Sequence, residues 1–265
     1  MCLGCGGAVP KLRIYPNLLQ REAQEWFKVE YDISVNERMM YRAMNEAKDV
    51  IEGTEKDQYL RLRDYMNEIM KVNPGSIANM GTTPQPEGLP RFRNLYICLA
   101  ACTNGFKAGC RPFIVLDGTF LKGYFGGQLL IAIGQDVNNQ LFPIAYGVVD
   151  AETRKNWRFF LEELHIDIGD YNENAWVFMS DQQKGLIPAL QDVMPGVKNR
   201  FCSIQRKNEK PEDYVRHKLT IEAYNRTYQF HINSIPSQEY WEHHEGLPCL
   251  PPTYKRPIGR PTKKR

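Results

Sequence analysis

Between residues 111 and 202, short apolar runs alternate with amphipathic segments, and this alternation restricts the possible folds more than any other feature of the chain. The apolar runs have the length and composition of strands, and they occupy 111–120, 128–136, 141–150, 175–181 and 198–202. Apolar residues at helical spacing predict two helices between these runs, over 153–167 and 184–193. The stretch therefore predicts the element order β-β-β-α-β-α-β.

The connections between these elements predict how the strands pair. The first three strands are joined by short segments, which are typical of an antiparallel meander. The helix over 153–167 returns the chain, so the strand over 175–181 is predicted to lie parallel to the strand over 111–120. We therefore expect an α/β fold with a ribonuclease-H-like mixed sheet, whose core is residues 111–202.

The segments that flank this core are predicted to differ from it. Residues 1–35 are poorly defined by their sequence, and 36–110 are expected to form a helical region. The predicted elements of that region are helices over 36–52 and 54–73, a loop over 76–90 and a third helix over 92–102. In the second helix, Thr54 and Asp57 have the spacing of a capping box.

Two of the predicted strands carry an acid at comparable ends, Asp117 in the first and Asp181 in the fourth. Because neighbouring strands lie about 4.8 Å apart, parallel pairing would bring these carboxylates to one edge of the sheet. Two such carboxylates repel each other unless a cation or a proton intervenes, and Mg²⁺ (or Mn²⁺) suits sparse oxygen ligands that leave room for phosphate. Acids at strand ends are also common turn formers, the simpler role that we assign to Asp136 and Asp150.

A series of motifs resembles the Mutator-like DNA transposases. Its members are Asp-Gly-Thr-Phe-Leu-Lys-Gly at 117–123, Gly-Gly-Gln-Leu-Leu at 126–130, Phe-Pro-Ile-Ala-Tyr at 142–146, Asn-Trp at 156–157 and Ser-Asp-Gln-Gln-Lys-Gly-Leu at 180–186. The resemblance covers roughly two thirds of the chain. It implies that Asp117 and Asp181 are the first two members of a metal-binding acidic triad that catalyses phosphoryl transfer on DNA.

The chain departs from that family after the fifth predicted strand. The family continues from a Cys-x-x-His motif through a helical insertion to a catalytic Glu and a zinc-binding SWIM module. Here Cys202 has no matching His after it, and 211–215 and 224–228 already resemble the far C-terminal part of the family, so that 203–254 are a remnant of that part. The resemblance therefore implies a truncated transposase that lacks the third acid and does not cut DNA.

Four acids after the fifth predicted strand are candidates to replace the missing one, namely Glu209, Glu212, Asp213 and Glu222. Solvated acids on helices are common, and this simpler interpretation is preferred for all four. Replacement would require a carboxylate held within about 0.5 Å of the productive position.

The irregular tail over 255–265 concentrates basic charge. It contains six basic residues and no acid, so removing it changes the net charge from +3 to −3. Lys-Arg-Pro-Ile-Gly-Arg-Pro at 255–261 resembles an AT-hook, a motif whose arginine enters the narrow minor groove of A/T-rich DNA. The candidate DNA-binding residues are Arg256, Gly259, Arg260, Pro261 and Lys263. A nuclear-localisation signal is an equal alternative, and we expect a nuclear protein.

The composition and the missing segment both limit the range of possible partners. An apolar stretch of about 18 residues would be needed to span a membrane, and the sequence has none. The missing insertion would have covered the rear face of the sheet, which predicts reduced stability or self-association through that face. Two functions stay open, an inactive truncated transposase and a non-enzymatic DNA-binding or regulatory protein of transposon origin. A decayed product without a role is the third possibility.

Overall fold

The computed structural model describes residues 3–15, 17–123, 125–180, 183–201 and 221–253. The chain forms two compact units, Met1–Arg61 and Leu62–Arg265. The described helices of the first unit are α1 (Leu3–Ile14), α2 (Gln20–Tyr31), α3 (Glu37–Glu52) and α4 (Glu55–Leu60). α1 and α2 lie in the segment over 1–35, for which the sequence indicated no element.

The first unit has its own small core, in which Phe27, Met40, Met44 and Ala47 are buried. The predicted helix over 36–52 is confirmed as α3, and the Asn36 side chain caps it by accepting a hydrogen bond from the Met39 N–H. The apolar stripe of this helix therefore has a partner surface within its own unit.

The predicted helix over 54–73 is confirmed in part. Thr54 and Asp57 form the expected capping box at the start of α4. The helix is interrupted at Arg61, whose N–H turns back to the carbonyl groups of Asp57 and Tyr59. It resumes as α5 (Leu62–Val72), which belongs to the second unit.

The second unit is built on a seven-stranded mixed sheet of order β1-β2-β5-β4-β3-β6-β7. The strands are β1 (Ile77–Thr83), β2 (Arg91–Cys98), β3 (Phe113–Phe120), β4 (Gln128–Gln135), β5 (Leu141–Val149), β6 (Val177–Ser180) and β7 (Lys198–Phe201). The predicted meander is confirmed, since β3, β4 and β5 pair antiparallel. The predicted return is also confirmed, since β6 pairs parallel with β3, and β7 with β6.

Two predictions for the region before β3 are wrong. The segment predicted as a loop over 76–90 contains β1, and the segment predicted as a helix over 92–102 contains β2. The apolar residues of β2 fit a helical period, but the strand is buried on both faces and pairs with β1 and β5. A strand buried on both faces loses the alternation that identifies half-buried strands.

Helices cover one face of the sheet. Tyr96, Leu116, Leu130 and Phe178 project from this covered face into a fully buried core. The helices of the second unit after β2 are α6 (Ala100–Gly109), α7 (Arg154–Ile168), α8 (Leu186–Val193) and α9 (Ile221–Tyr228). The same core contains Trp157, Phe160, Leu161 and Leu164 of α7 and Leu186 and Leu190 of α8.

The opposite face, which we call the open face, is less enclosed over the central strands. Val115, Leu129, Ile131 and Val148 on this face are only partly buried. α5 packs near β1. Burial and an interaction with Tyr65 of α5 raise the pKa of Tyr146 on β5 to about 12.

The helix α9 packs closely against α6. An added Cβ at Gly109 would lie 2.1 Å from Thr227 Oγ1 and 2.2 Å from the Ala223 carbonyl oxygen. The Tyr228 hydroxyl donates to Asp136 Oδ2 at 2.9 Å. Because a side chain at Gly109 would overlap α9, only glycine permits this approach, and α9 is an integral part of the fold.

We expect the substitution Gly109→Ala to destabilise the protein by about 1–3 kcal/mol, because the new methyl group overlaps α9. At an open helix position, the same change would stabilise by about 0.5–1 kcal/mol. Urea unfolding measures the difference, with Asn104→Ala on the exposed side of α6 as the control. A stabilised Gly109→Ala protein would show that α9 does not pack here.

Candidate functional site

The first predicted site residue, Asp117, is exposed on β3 and pairs across the sheet with Ile131. Side chains alternate along a strand. Leu116 and Gly118 therefore lie on the covered face, and Asp117 projects from the open face. Its carboxylate Oδ1 accepts a hydrogen bond from the Gly118 N–H at 2.8 Å. An exposed oxygen ligand thus stands on the face that the helices α6 to α8 leave open.

The parallel ladder between β3 and β6 determines what approaches Asp117. The ladder runs from Phe113 opposite Val177 to Leu116 opposite Ser180. On β3, the residue after this last pair is Asp117. On the other strand, the residue after Ser180 is Asp181, which lies outside the described residues. The described register therefore agrees with the predicted pairing as far as it extends.

The structure places an acid that the sequence analysis did not single out beside β3. A Cβ added at Gly118 would lie 2.5 Å from Glu152 Cδ and 2.7 and 2.8 Å from the two carboxylate oxygens. Glu152 therefore packs its carboxylate on the covered face, directly over the Gly118 backbone. Asp117 projects from the opposite face, so the two acids lie beside neighbouring residues of β3 but on different faces of the sheet.

The segment that carries Glu152 is held firmly between β5 and α7. Asn156 Nδ2 donates to Asp150 Oδ1 at 2.7 Å and to the Ala151 carbonyl at 2.8 Å, and Thr153 caps the helix. Asp150 therefore has the turn-forming role that the sequence predicted. The only sequence signal for Glu152 was its position just before the N-cap, because its contact with Gly118 depends on the tertiary fold.

α8 begins beside the same segment. A Cβ at Gly185 would lie 3.0 Å from Arg154 N and 3.1 Å from the Glu152 carbonyl oxygen. The Trp157 indole N–H donates to Gln183 Oε1 at 3.3 Å. The starts of α7 and α8 are therefore packed together at the end of the sheet where β3 and β6 finish, which we call the upper end.

Of the four acids considered as replacements for the third catalytic acid, only Glu222 is described, and it does not lie beside Asp117. Glu222 is exposed on α9. α9 is fixed to Asp136, which follows the last residue of β4 at the lower end of the sheet, opposite the upper end. Glu209, Glu212 and Asp213 lie outside the described residues. Asp136 itself has the predicted turn role, since its Oδ1 accepts from the Asn138 and Gln140 N–H groups at 2.8 Å.

The remaining predicted site residues lie in the tail, outside the described part of the chain. They are Arg256, Gly259, Arg260, Pro261 and Lys263. Within the described ranges, no three His, Cys, Asp or Glu side chains form a group that could hold a metal ion. No helix in those ranges is long and apolar enough to cross a membrane.

Comparison with known proteins identifies the central part of this unit. Residues 113–206 match the MULE transposase domain, a stretch that begins with β3 and includes the positions of Asp117 and Asp181. The resemblance to Mutator-like element transposases is therefore confirmed for this stretch. No curated protein matches the chain.

The contact between Gly118 and Glu152 can be tested by a double-mutant cycle. We expect Gly118→Ala to cost about 0.5–1.5 kcal/mol in the natural protein, because the methyl group displaces a partly buried carboxylate. In a Glu152→Ala background, the same change should be neutral or stabilising. Denaturant unfolding of the four proteins gives the coupling energy, and equal costs in both backgrounds would exclude the contact.

Proposed function

We propose that the second unit is the catalytic core of a Mutator-like transposase in a truncated, inactive form that still binds DNA. The match over 113–206 supports transposase ancestry and, with it, DNA as the partner. The strand order supports a ribonuclease-H-like class. Counted from β3, it reads third, second, first, fourth, fifth, with the fourth and fifth strands parallel to the first.

We infer that Asp117 and Asp181 bind one divalent cation, Mg²⁺ or Mn²⁺, on the open face. The register of β3 and β6 supports this inference, because Asp117 follows the last ladder pair on its strand and Asp181 follows it on the other. Asp117 is an exposed carboxylate, the hard oxygen ligand that these ions prefer. A bound ion would supply charge stabilisation to a phosphate group beside it.

The positions of the other acids support the proposed inactivity. A two-metal phosphoryl-transfer site needs more anionic ligands than two aspartates provide. Glu152 occupies the covered face, and Glu222 belongs to a helix fixed at the lower end of the sheet. Glu152 therefore lies on the other face of the sheet from Asp117, and Glu222 lies on a helix at the other end of the sheet.

The basic tail supports DNA binding without catalysis. Arg256 and Arg260, with Gly259, Pro261 and Lys263, would enter an A/T-rich minor groove, and the same residues would serve nuclear import. A protein with this tail and a defective site would be a DNA-binding or regulatory product of transposon origin. This second function differs from the first only in whether the DNA binding that the protein retains has a regulatory role.

A cleavage and binding experiment tests the proposal. The natural protein, Asp117→Ala and the control Glu222→Ala are incubated with labelled DNA and Mg²⁺ or Mn²⁺. We expect no cleavage above background from any of them. Cleavage that Asp117→Ala abolishes and Glu222→Ala preserves would show a working enzyme.

The binding arm uses the same proteins. We expect Asp117→Ala to weaken Mn²⁺ binding about tenfold or more, since it removes one of two ligands. Glu222→Ala should leave Mn²⁺ binding unchanged, and removal of residues 254–265 should abolish most of the DNA affinity. DNA binding that survives this deletion in full would contradict the assignment to the tail.

We also propose that the protein self-associates through the open face. The partly buried apolar side chains of Val115, Leu129, Ile131 and Val148 support this proposal, because proteins seldom leave a contiguous apolar patch exposed. A second copy with the same patch would bury it by symmetric pairing. Because Asp117 pairs with Ile131 within this patch, such a dimer would also cover Asp117, so self-association and binding of DNA at Asp117 would compete.

Sedimentation at several concentrations tests self-association. We expect Val148→Thr to raise the dissociation constant about tenfold, because it places a hydroxyl in an apolar contact without changing the shape. Val29→Thr on α2 is the matched control, since Val29 is 84% exposed. A natural protein that stays monomeric at all concentrations would refute the proposal.

A further inference from the structure

The first strand, β1, forms one outer edge of the sheet, and β7 forms the other. The sequence of β7 is Lys-Asn-Arg-Phe, and charged residues of this kind discourage strand edges from pairing with other chains. The sequence of β1 is Ile-Ala-Asn-Met-Gly-Thr-Thr, which contains neither a charged residue nor a proline. The edge at β1 therefore lacks the protection that the sequence of β7 provides.

A stretch late in the described chain reaches the start of β2 on the side away from β1. Residues 231–253, which we call the strap, lie along α5, where the His244 N–H donates to Asp64 Oδ1 at 2.9 Å. Further along the strap, the Leu250 carbonyl accepts a hydrogen bond from the Phe92 N–H at 2.8 Å. The main-chain N–H of Phe92 is therefore directed to the strap and not to β1.

The direction of the Phe92 N–H determines which main-chain groups of β1 point outward. Thr82 lies opposite Phe92, and opposite residues of an antiparallel pair either exchange hydrogen bonds or both turn away. The N–H and C=O of Thr82 therefore point to the outer edge. Alternation along β1 gives Met80 and Ala78 the same direction, because the extra residue of the bulge, Arg93, is on β2. These outward main-chain groups have no hydrogen-bond partner within the described ranges.

Two side chains of opposite charge lie beside this edge on the covered face. Asn79 is opposite Tyr96, which places Asn79 and Gly81 on that face. Asn79 Nδ2 donates to Glu163 Oε2 of α7 at 2.6 Å. A Cβ added at Gly81 would lie 2.8 Å from Arg93 Nη2, so the guanidinium lies over Gly81. Neither Glu163 nor Arg93 forms an ion pair with another described residue.

We propose that β1 is the docking edge for a second copy of this chain, whose own β1 pairs with it antiparallel about a twofold axis at Met80. In this register Met80 lies opposite Met80 of the second copy, and Ala78 lies opposite Thr82 of the second copy. Each outward N–H and C=O then has a partner in a regular antiparallel ladder. The inference depends neither on metal binding nor on DNA binding.

The charges beside the edge favour a second copy over an unrelated strand. With the axis at Met80, Gly81 lies opposite Asn79 of the second copy, with about 4.5 Å between the Cα atoms. Arg93 lies over Gly81, and Glu163 is bonded to Asn79, so these two opposite charges meet across the interface. The axis forms this ion pair twice. The edge is thus complementary to itself, as an interface between identical copies requires.

Pairing through β1 leaves the open face uncovered. A twofold axis that joins two strand edges into one continuous sheet is perpendicular to that sheet, so the open faces of both copies lie on the same side. In the strand order, β3 is four strand spacings from β1, which places Asp117 about 19 Å from the interface. Asp117 therefore stays accessible in this dimer, whereas a dimer through the open face would cover it.

Reversal of the two charges provides the first test. Arg93→Glu brings two carboxylates together, and Glu163→Arg brings two guanidinium groups together, so each variant alone should dimerise about tenfold more weakly. An equal mixture of the two variants should form a heterodimer with nearly the natural affinity, because both ion pairs return with reversed sign. Sedimentation measures the dissociation constants, in a Val148→Thr background that weakens the open-face contact.

The main chain provides the second test. Thr82→Pro removes an N–H that points outward and leaves the ladder with β2 intact. We expect this change to raise the dissociation constant about tenfold or more, with little change in the urea midpoint of the monomer. Thr82→Val keeps the N–H and the branched side chain, so this control should dimerise like the natural protein.

The outcomes separate pairing through β1 from pairing through the open face. Association that Val148→Thr weakens, and that Thr82→Pro and the charge variants leave unchanged, would overturn the inference and retain the open-face contact. Charge variants that associate no better when mixed than apart would also overturn it, since the effect would then lie in folding. A natural protein that is monomeric at every concentration would overturn both contacts.

Discussion

The parallel ladder between β3 and β6 is the constraint on which the candidate site depends. The last pair of this ladder is Leu116 opposite Ser180. The next residue on the first strand is therefore Asp117, and the next residue on the second strand is residue 181. Parallel pairing of this kind needs a crossover, and α7 supplies it on the covered face. The helix that buries the core therefore also determines which strand ends meet.

The two faces of the sheet separate the two acids that lie beside the end of β3. Glu152 packs over Gly118, whereas Asp117 projects to the other side of the same strand. The helix α9, which contains Glu222, is fixed to Asp136 at the lower end and packs closely on α6.

The sequence predicted the core well where a single pattern determined the structure. β3 to β7 and the helices between them correspond to apolar runs bounded by turns. The order of these elements predicted the parallel pairing of β3 with β6, which supports Asp117 as a site residue. β1 and β2 were missed because burial on both faces removes the alternation by which strands are recognised. Glu152 and the strap could not be predicted, since their contacts join residues far apart in sequence, such as Asp64 and His244.

We propose that a single cation binds at the end of the β3–β6 ladder with two aspartates as its only carboxylate ligands. Anomalous diffraction from crystals soaked in Mn²⁺ tests it most directly. We predict one peak on the open face, within about 2.0–2.3 Å of an oxygen of Asp117 and of Asp181, with no other carboxylate in contact. A second ion, or a glutamate completing the coordination, would contradict the claim and indicate a working transposase site.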